Sequence, residues 1–118
     1  MSNIGYPNYE NLVFSLIKLG MNKGPTIIDL NSDHAGIVYN AQNVDLEDVV
    51  NVLEQFNLKR ENVDEESMNY YGETHVKGVE TWEGESEKVN VEYMSLGDVK
   101  KSGRKVLAVY IQRKNTGT

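Results

Sequence analysis

The residue types that could support catalysis in this chain are concentrated around its two histidines. His34 follows Ser32 and Asp33, and His75 lies two residues after Glu73. Serine, histidine and aspartate make up a hydrolytic triad, but three consecutive turn residues cannot form that relay with one another. A metal site needs three or four ligands, and the carboxylates of Asp33 and Glu73 are oxygen donors that a zinc or manganese site can use. Both histidines stand in polar segments, however, so we interpret them as solvent-facing and predict no catalytic residue, no metal site and no cofactor.

A second candidate is an acidic run in which Glu83, Glu85 and Glu87 alternate with Gly84 and Ser86. Carboxylates spaced by two residues could point the same way and hold a hard cation such as Ca²⁺. Three uncompensated acids between strands are more often a solvated hairpin tip, and alternating acids also discourage pairing of strand edges between molecules. We interpret this run as a hairpin tip.

A third candidate is the basic segment 97–105, which has only a superficial likeness to a phosphate-binding loop. Its glycines are one residue too far apart, no Ser or Thr follows the lysine, and a strand pattern comes next where a helix is needed. The segment predicts a basic hairpin loop whose arginine and backbone N–H groups could contact an anion. Such an anion site would use Lys100, Lys101, Arg104 and Lys105, with Arg113 at the far end of the following strand.

Aromatic side chains could complete that anion site. Trp82, Tyr93 and Tyr110 each present an apolar ring on which a base can stack, together with a polar tip. Val89, Val91 and Tyr93 lie on one face of the next strand. Trp82 would be exposed if its side chain pointed to the other face of the sheet, and it would be a core residue if it pointed to the same face. These three aromatic residues join the cations as candidate ligand-binding residues.

The distribution of charge along the chain is strongly uneven. The 118 residues include 12 basic and 18 acidic ones, for a net charge of −6. Residues 45–92 hold 14 acids against 4 basic residues, whereas residues 93–118 hold 6 basic residues against 1 acid. Opposed patches of this kind steer encounters with partners. The candidate acidic surface consists of Asp45, Glu47, Asp48, Glu61, Asp64, Glu65 and Glu66.

Length and composition restrict the class of protein. A chain of 118 residues is long enough for one hydrophobic core, so we predict a single domain over 1–118, with 115–118 as a frayed tail. The absence of cysteine excludes disulfides and thiolate metal sites and fits a reducing compartment. No signal-peptide pattern and no apolar run of membrane-spanning length is found. We therefore expect a soluble cytoplasmic protein without a membrane partner, and the acidic excess disfavours duplex nucleic acid.

The N-terminal third combines a helical pattern with two strand patterns. Apolar residues at helical spacing predict a helix over 8–20, with Asn8 as its N-cap and Gly20 as the residue that ends it. Two short runs rich in β-branched residues, 26–30 and 36–39, are separated by a turn-forming cluster. They predict a β-hairpin.

A second helical pattern occupies the middle of the chain. The spacing predicts a helix over 46–56, with Asp45 as its N-cap and Asp48 in the position of the acidic arm of a capping box. The polar segment 57–73 has few residues available for burial. It predicts a loop, with at most one extra helical turn.

The C-terminal third is strand-like. Strands are predicted over 75–82, 88–94 and 105–114, and Gly78 predicts a β-bulge in the first of them. The last strand is apolar on both sides, so it is either a central strand or one that a partner chain covers. The order α-β-β-α-β-β-β predicts an α+β domain in which two helices pack on one face of an antiparallel sheet of about five strands.

No supported catalytic constellation emerges, so the leading hypothesis is a non-catalytic binding protein. We expect a small acidic inhibitor, immunity-type or accessory factor whose acidic surface contacts a protein with a basic surface, and a homodimer through the C-terminal strand is an added prediction. The alternative hypothesis is a small-molecule binder for a phosphorylated or nucleotide-like anionic ligand, held by the basic C-terminal end and the sheet aromatics.

Overall fold

Nine elements follow one another in residues 6–114, the part of the chain that a computed structural model describes. In chain order they are α1 (Tyr6–Met21), β1 (Thr26–Leu30), β2 (His34–Tyr39), α2 (Leu46–Gln55), β3 (Lys59–Tyr70), β4 (Glu73–Glu83), β5 (Glu87–Met94), α3 (Val99–Ser102) and β6 (Lys105–Arg113). The predicted frayed tail lies outside these residues. None of the three helices in the described part is long and apolar enough to cross a membrane.

All six strands belong to one antiparallel sheet in the order β1-β2-β6-β5-β4-β3. The predicted α+β class is therefore confirmed, with six strands where about five were expected and with the short helix α3 in addition. β6 lies between β2 and β5. It is thus a central strand, which is one of the two alternatives that its apolar pattern left open.

The core lies between the two longer helices and one face of the sheet. Leu12 and Leu16 of α1 lie four residues apart and therefore share one side of the helix. Both are completely buried, as is Leu53 of α2. They belong to the same cluster as the sheet residues Ile37, Val91 and Val109. These three are neighbours across β2, β6 and β5, so they form an apolar row beneath both helices.

The helix predicted over 8–20 is confirmed, but its predicted ends are wrong. Asn8 lies inside the first turn, and its amide group donates to the buried Glu87 carboxylate at 3.3 and 3.4 Å. Gly20 lies within the helix rather than after it, and a Cβ there would come within 2.3 Å of the Tyr39 ring. The Tyr39 hydroxyl donates to the carbonyl of Leu16 at 2.8 Å, so glycine permits this close packing of strand on helix.

The helix predicted over 46–56 is also confirmed, although the predicted capping box does not form. Asp45 has the extended backbone of an N-cap, but its side chain accepts no capping hydrogen bond. Its carboxylate pairs with the ammonium group of Lys105. The backbone joins the same two places, since Leu46 N–H donates to Arg104 C=O at 3.0 Å. The start of α2 is therefore held by the start of β6.

The predicted loop over 57–73 is wrong, because most of it is the long edge strand β3. All twelve residues of β3 are exposed and six of them are charged, so the strand has no buried face that could produce an alternating pattern. It pairs with β4 through a two-residue turn, Tyr71 and Gly72, whose φ angles of 52° and 78° are those of a type I′ turn. The β3–β4 hairpin is thus encoded by backbone pairing and turn chemistry, with little contribution from burial.

The predicted β-bulge at Gly78 is wrong as well. The pairing of β4 with both neighbours runs through Gly78 without a shift. A Cβ at this position would lie 2.6 Å from the Tyr93 hydroxyl and 2.8 Å from the Asp64 carbonyl oxygen, so glycine makes room for the tyrosine. The predicted basic hairpin loop over 97–105 contains α3, where the Asp98 side chain accepts from the Lys100 N–H at 3.1 Å.

Gly78→Ala is expected to lower the free energy of unfolding by about 1–3 kcal/mol, because the added methyl group overpacks the contact with Tyr93 and with a backbone oxygen. Urea unfolding measures the change. Gly97→Ala is the matched control, since a Cβ there meets nothing within 4 Å and the expected change is within about 0.5 kcal/mol. Equal effects of the two substitutions would contradict the packing role of Gly78.

Candidate functional site

Within residues 6–114 the face of the sheet opposite α1 and α2 carries no helix, and we call it the open face. One row of paired residues crosses it from edge to edge: Ile27, Val38, Ala108, Glu92, Val79 and Asp64. The adjacent row points to the helices, and its central members Ile37, Val109 and Val91 are completely buried. Because successive residues of a strand point to opposite faces, alternate side chains belong to the open face except at the irregularities in the pairing of β3 with β4 and of β5 with β6.

A concavity of about 310 Å³ lies on the open face near β3, and we call it the acidic hollow. Its lining includes three apolar side chains from three strands, Val79, Met94 and Leu107. Four charged side chains surround them, namely Asp64, Glu66, Glu92 and Lys77. Within residues 6–114 none of these four has an ion-pair partner. The acidic hollow therefore combines an apolar floor with an excess of uncompensated carboxylates.

A larger groove of about 720 Å³ runs between α2 and α3 on the helix side, and we call it the basic groove. Its lining includes five cations, Arg60, Lys100, Lys101, Arg104 and Lys105, and the acids Asp45 and Glu47. Three of the cations are already paired. Arg104 makes a two-pronged contact with Glu65 at 2.7 and 2.9 Å, Lys105 pairs with Asp45, and Arg60 lies 3.3 Å from Glu80.

The pairing of Arg104 with Glu65 changes the acidity of its members. The hydrogen bonds from the Arg104 guanidinium hold the pKa of Glu65 below its usual range, and the Tyr93 hydroxyl, which donates to Glu65 at 2.8 Å, acts in the same direction. Burial raises the pKa of Tyr93, and the neighbouring Glu65 carboxylate raises it further. Glu65 of β3 is therefore ionised, and its carboxylate is bound by Tyr93 of β5 and by Arg104, the residue before β6.

The structure separates the residues of the predicted acidic surface. Asp45, Glu47 and Asp48 lie at the start of α2, and Glu61 lies at an irregularity in the pairing of β3 with β4. Asp64 and Glu66 belong to the open face, where they line the acidic hollow. Glu65 points to the opposite side and is bound by Arg104. The predicted surface is thus divided between the start of α2 and the two sides of β3, and Asp64 and Glu66 adjoin the half-buried apolar side chains of the acidic hollow.

The predicted anion-binding residues are separated as well. Trp82 and Tyr93 are each only 2% exposed and point to the helix side, whereas Tyr110 is 43% exposed and lies on the open face. Arg113 lies at the opposite end of β6 from Arg104, with its guanidinium 4.5 Å from the centre of the Tyr9 ring. None of the three predicted aromatic residues therefore lies exposed beside the cations of the basic groove.

The histidines and the three alternating glutamates do not converge either. Within residues 6–114 no group of three or more histidine, aspartate or glutamate side chains is arranged to hold a metal ion. Glu87 is completely buried at the start of α1, while Glu83 pairs with Lys114 at 3.2 Å. The predicted hairpin tip therefore holds two carboxylates with structural partners.

Comparison of the chain with family models, with curated proteins and with solved structures finds no match. Function is thus inferred from the surfaces themselves. The apolar floor of the acidic hollow is the feature that sequence reasoning missed, because the facing of β4 was open around Gly78 and Leu107 belongs to a strand that is apolar on both sides. A continuous register through Gly78 is what places Val79 beside Met94.

Glu65→Gln is expected to lower the free energy of unfolding by roughly 1 kcal/mol at neutral pH, since water screens an ion pair that is about a quarter exposed on the glutamate side. Because the folded-state pKa of Glu65 is lowered, the unfolded chain takes up the proton first as the pH falls. The difference in free energy of unfolding between Glu65→Gln and the native protein should be full above the ordinary carboxyl pKa of the unfolded chain. It should be lost as the pH falls through the lowered pKa of Glu65 in the folded protein. Urea unfolding at a series of pH values measures it.

Glu66→Gln is the matched control for this measurement. Glu66 neighbours Glu65 but faces the acidic hollow, and no residue of the described part pairs with it. We expect a change in the free energy of unfolding within about 0.5 kcal/mol. A pH-independent deficit in Glu65→Gln would contradict the role of its ionised form.

Proposed function

We propose that this protein is a non-catalytic binding protein that docks a basic protein segment on the acidic hollow of its open face. The observation that carries the proposal is a concavity in which Asp64, Glu66 and Glu92, without ion pairs within residues 6–114, surround a half-buried apolar floor. The function class is that of a small cytoplasmic inhibitor, immunity-type or accessory factor. Such a role requires a rigid docking surface and no reacting group.

The chemistry of the acidic hollow favours a segment that carries arginine or lysine next to an apolar side chain. The methylene stem of a long basic side chain packs on apolar surface while its charged head reaches a carboxylate. Val79, Met94 and Leu107 offer the apolar surface, and the surrounding carboxylates offer the acceptors. The wider acidic excess of residues 45–92 adds long-range attraction that raises the association rate.

The basic groove gives less support to the anionic-ligand alternative. Arg104 and Lys105 already bind Glu65 and Asp45, so an anion would have to displace a carboxylate from each of them. Lys100 and Lys101 have no ion pair within residues 6–114, but they lie on one short helix beside no exposed aromatic ring. A macromolecular partner with a basic surface is the better-supported ligand.

The double substitution Asp64→Lys with Glu66→Lys is expected to slow association with a synthetic peptide of Arg-Leu-Lys-Ser repeats by roughly tenfold or more at low salt, and to flatten the salt dependence. Stopped-flow fluorescence measures the rates, and amide chemical shifts of the native protein locate the peptide. We expect the shifts to concentrate on strands β3, β4 and β5 around the acidic hollow.

Glu47→Lys with Asp48→Lys is the matched control, because it makes the same change in net charge at the start of α2. This pair should retain the native association rate within about twofold. If both double variants slowed association equally, net charge alone would explain the attraction, and the proposed site would be overturned. A screen of nucleotides by thermal shift tests the alternative, since a ligand at 100 times its Kd stabilises by about 2.7 kcal/mol.

A further inference from the structure

The two edges of the sheet differ sharply in how they are protected from pairing with another strand. The edge strand β3 carries six charged residues among twelve and an irregular register next to Arg60. The edge strand β1 has Asp29 as its only charged residue, and its pairing with β2 is uninterrupted. Charged side chains and bulges are the devices that keep an edge strand from adding a neighbour. β1 has almost none of them.

The outward backbone groups of β1 have no strand partner in the part of the chain that the structure describes. Asn31 N–H donates to His34 C=O at 3.0 Å, and Asn40 N–H donates to Pro25 C=O at 3.0 Å. In an antiparallel pair the residues that bond to the partner strand alternate along the chain. Since 25 and 31 bond toward β2, the N–H and C=O groups of Thr26, Ile28 and Leu30 point away from the sheet. They form a short, regular template for another strand.

Apolar side chains surround this template. Ile28 and Leu30 lie on the helix side of β1 and are 40% and 52% exposed, and Phe14 of α1 is 63% exposed. Phe14 and Leu30 line a common pocket of about 540 Å³. On the open face Ile27 is 57% exposed. Contiguous exposed apolar surface of this kind on a small domain marks an interaction site.

We infer that β1 pairs antiparallel with β1 of a second copy of this chain, with Ile28 opposite Ile28 about a two-fold axis. This register brings Thr26 of each copy opposite Leu30 of the other, so all the outward N–H and C=O groups find partners. It joins the two sheets into one of twelve strands and buries Phe14, Ile28 and Leu30 between the copies. The interface is isologous, as two-fold dimers require.

The charge distribution favours a second copy as the occupant. Residues 1–44, which carry β1 and its surroundings, hold 2 basic and 3 acidic residues, so two such surfaces meet with little repulsion. The acidic β3 lies at the opposite edge of the sheet. With strands about 4.8 Å apart, pairing through β1 keeps the two β3 strands about 50 Å apart, far beyond a Debye length of about 8 Å.

This arrangement differs from the homodimer through the C-terminal strand that the sequence pattern predicts. β6 has β2 on one side and β5 on the other, so it has no free edge with which to extend a second sheet. The proposed dimer does not depend on the docking of a basic segment, because the acidic hollow lies at the other end of the sheet.

Light scattering across a concentration series tests the dimer with two lysine variants of the same strand. The native chain should show twice the monomer mass at high concentration. Ile28→Lys should shift the dissociation constant upward at least a hundredfold, because two ammonium groups then face each other at the two-fold axis. Ile27→Lys should leave the dimer intact or tighten it, since residue 27 lies opposite Asp29 of the second copy in this register.

A native chain that stays monomeric throughout the series would overturn the proposal, as would equal dissociation by both lysine variants. A cysteine variant decides the question if Ile28→Lys does not fold. The chain has no cysteine, so Ile28→Cys should give a disulfide-linked dimer on oxidation, because Cα atoms of directly opposed residues lie about 5.5 Å apart. Leu96→Cys, at an exposed position outside β1, is the control and should remain monomeric under the same oxidation. Equal cross-linking of both would contradict the register.

Discussion

Two helices of 16 and 10 residues cover one face of a six-stranded sheet. They are too short to cover the whole face, and their limited length determines which surfaces the protein exposes. At 1.5 Å per residue they are about 24 and 15 Å long, whereas a strand of 12 residues such as β3 is about 40 Å long. The helices therefore seal the row Ile37, Val109 and Val91 and leave β3 without a buried side. The open face and the bare edges follow from the same limit.

The same limit explains how much of the structure could be predicted from the sequence. The strand that holds Val89 and Val91 and the helix that holds Val49 and Leu53 pack against the core, so burial imposes a periodic pattern on them. β3 has no such pattern, because its stability comes from backbone pairing that any side chain permits. Gly78 shows a second limit. A glycine inside a strand can indicate either a β-bulge or a close contact, and only the position of Tyr93 in the folded protein shows that Gly78 makes a close contact.

The separation of charge along the chain becomes a set of internal cross-links in the folded protein. Arg104, Lys105 and Lys114 from the basic C-terminal part pair with Glu65, Asp45 and Glu83 from the acidic middle part. These contacts connect both ends of β6 to distant parts of the chain. The candidate site could be predicted only in part for this reason, since sequence alone does not distinguish the carboxylates that such pairs neutralise from Asp64 and Glu66, which face solvent.

The central position of β6 also has a consequence for biosynthesis. β6 follows every other described element in the chain, yet it is the strand that joins the β1–β2 hairpin to the β3–β4–β5 sheet. Until the ribosome has released residues 105–113, the nascent chain holds two half-sheets with no hydrogen bonds between them, and Ile37 and Val91 lack their common neighbour Val109. The fold is therefore completed only when β6 has left the ribosome, and until then the apolar row is a natural substrate for chaperones that bind exposed hydrophobic strands.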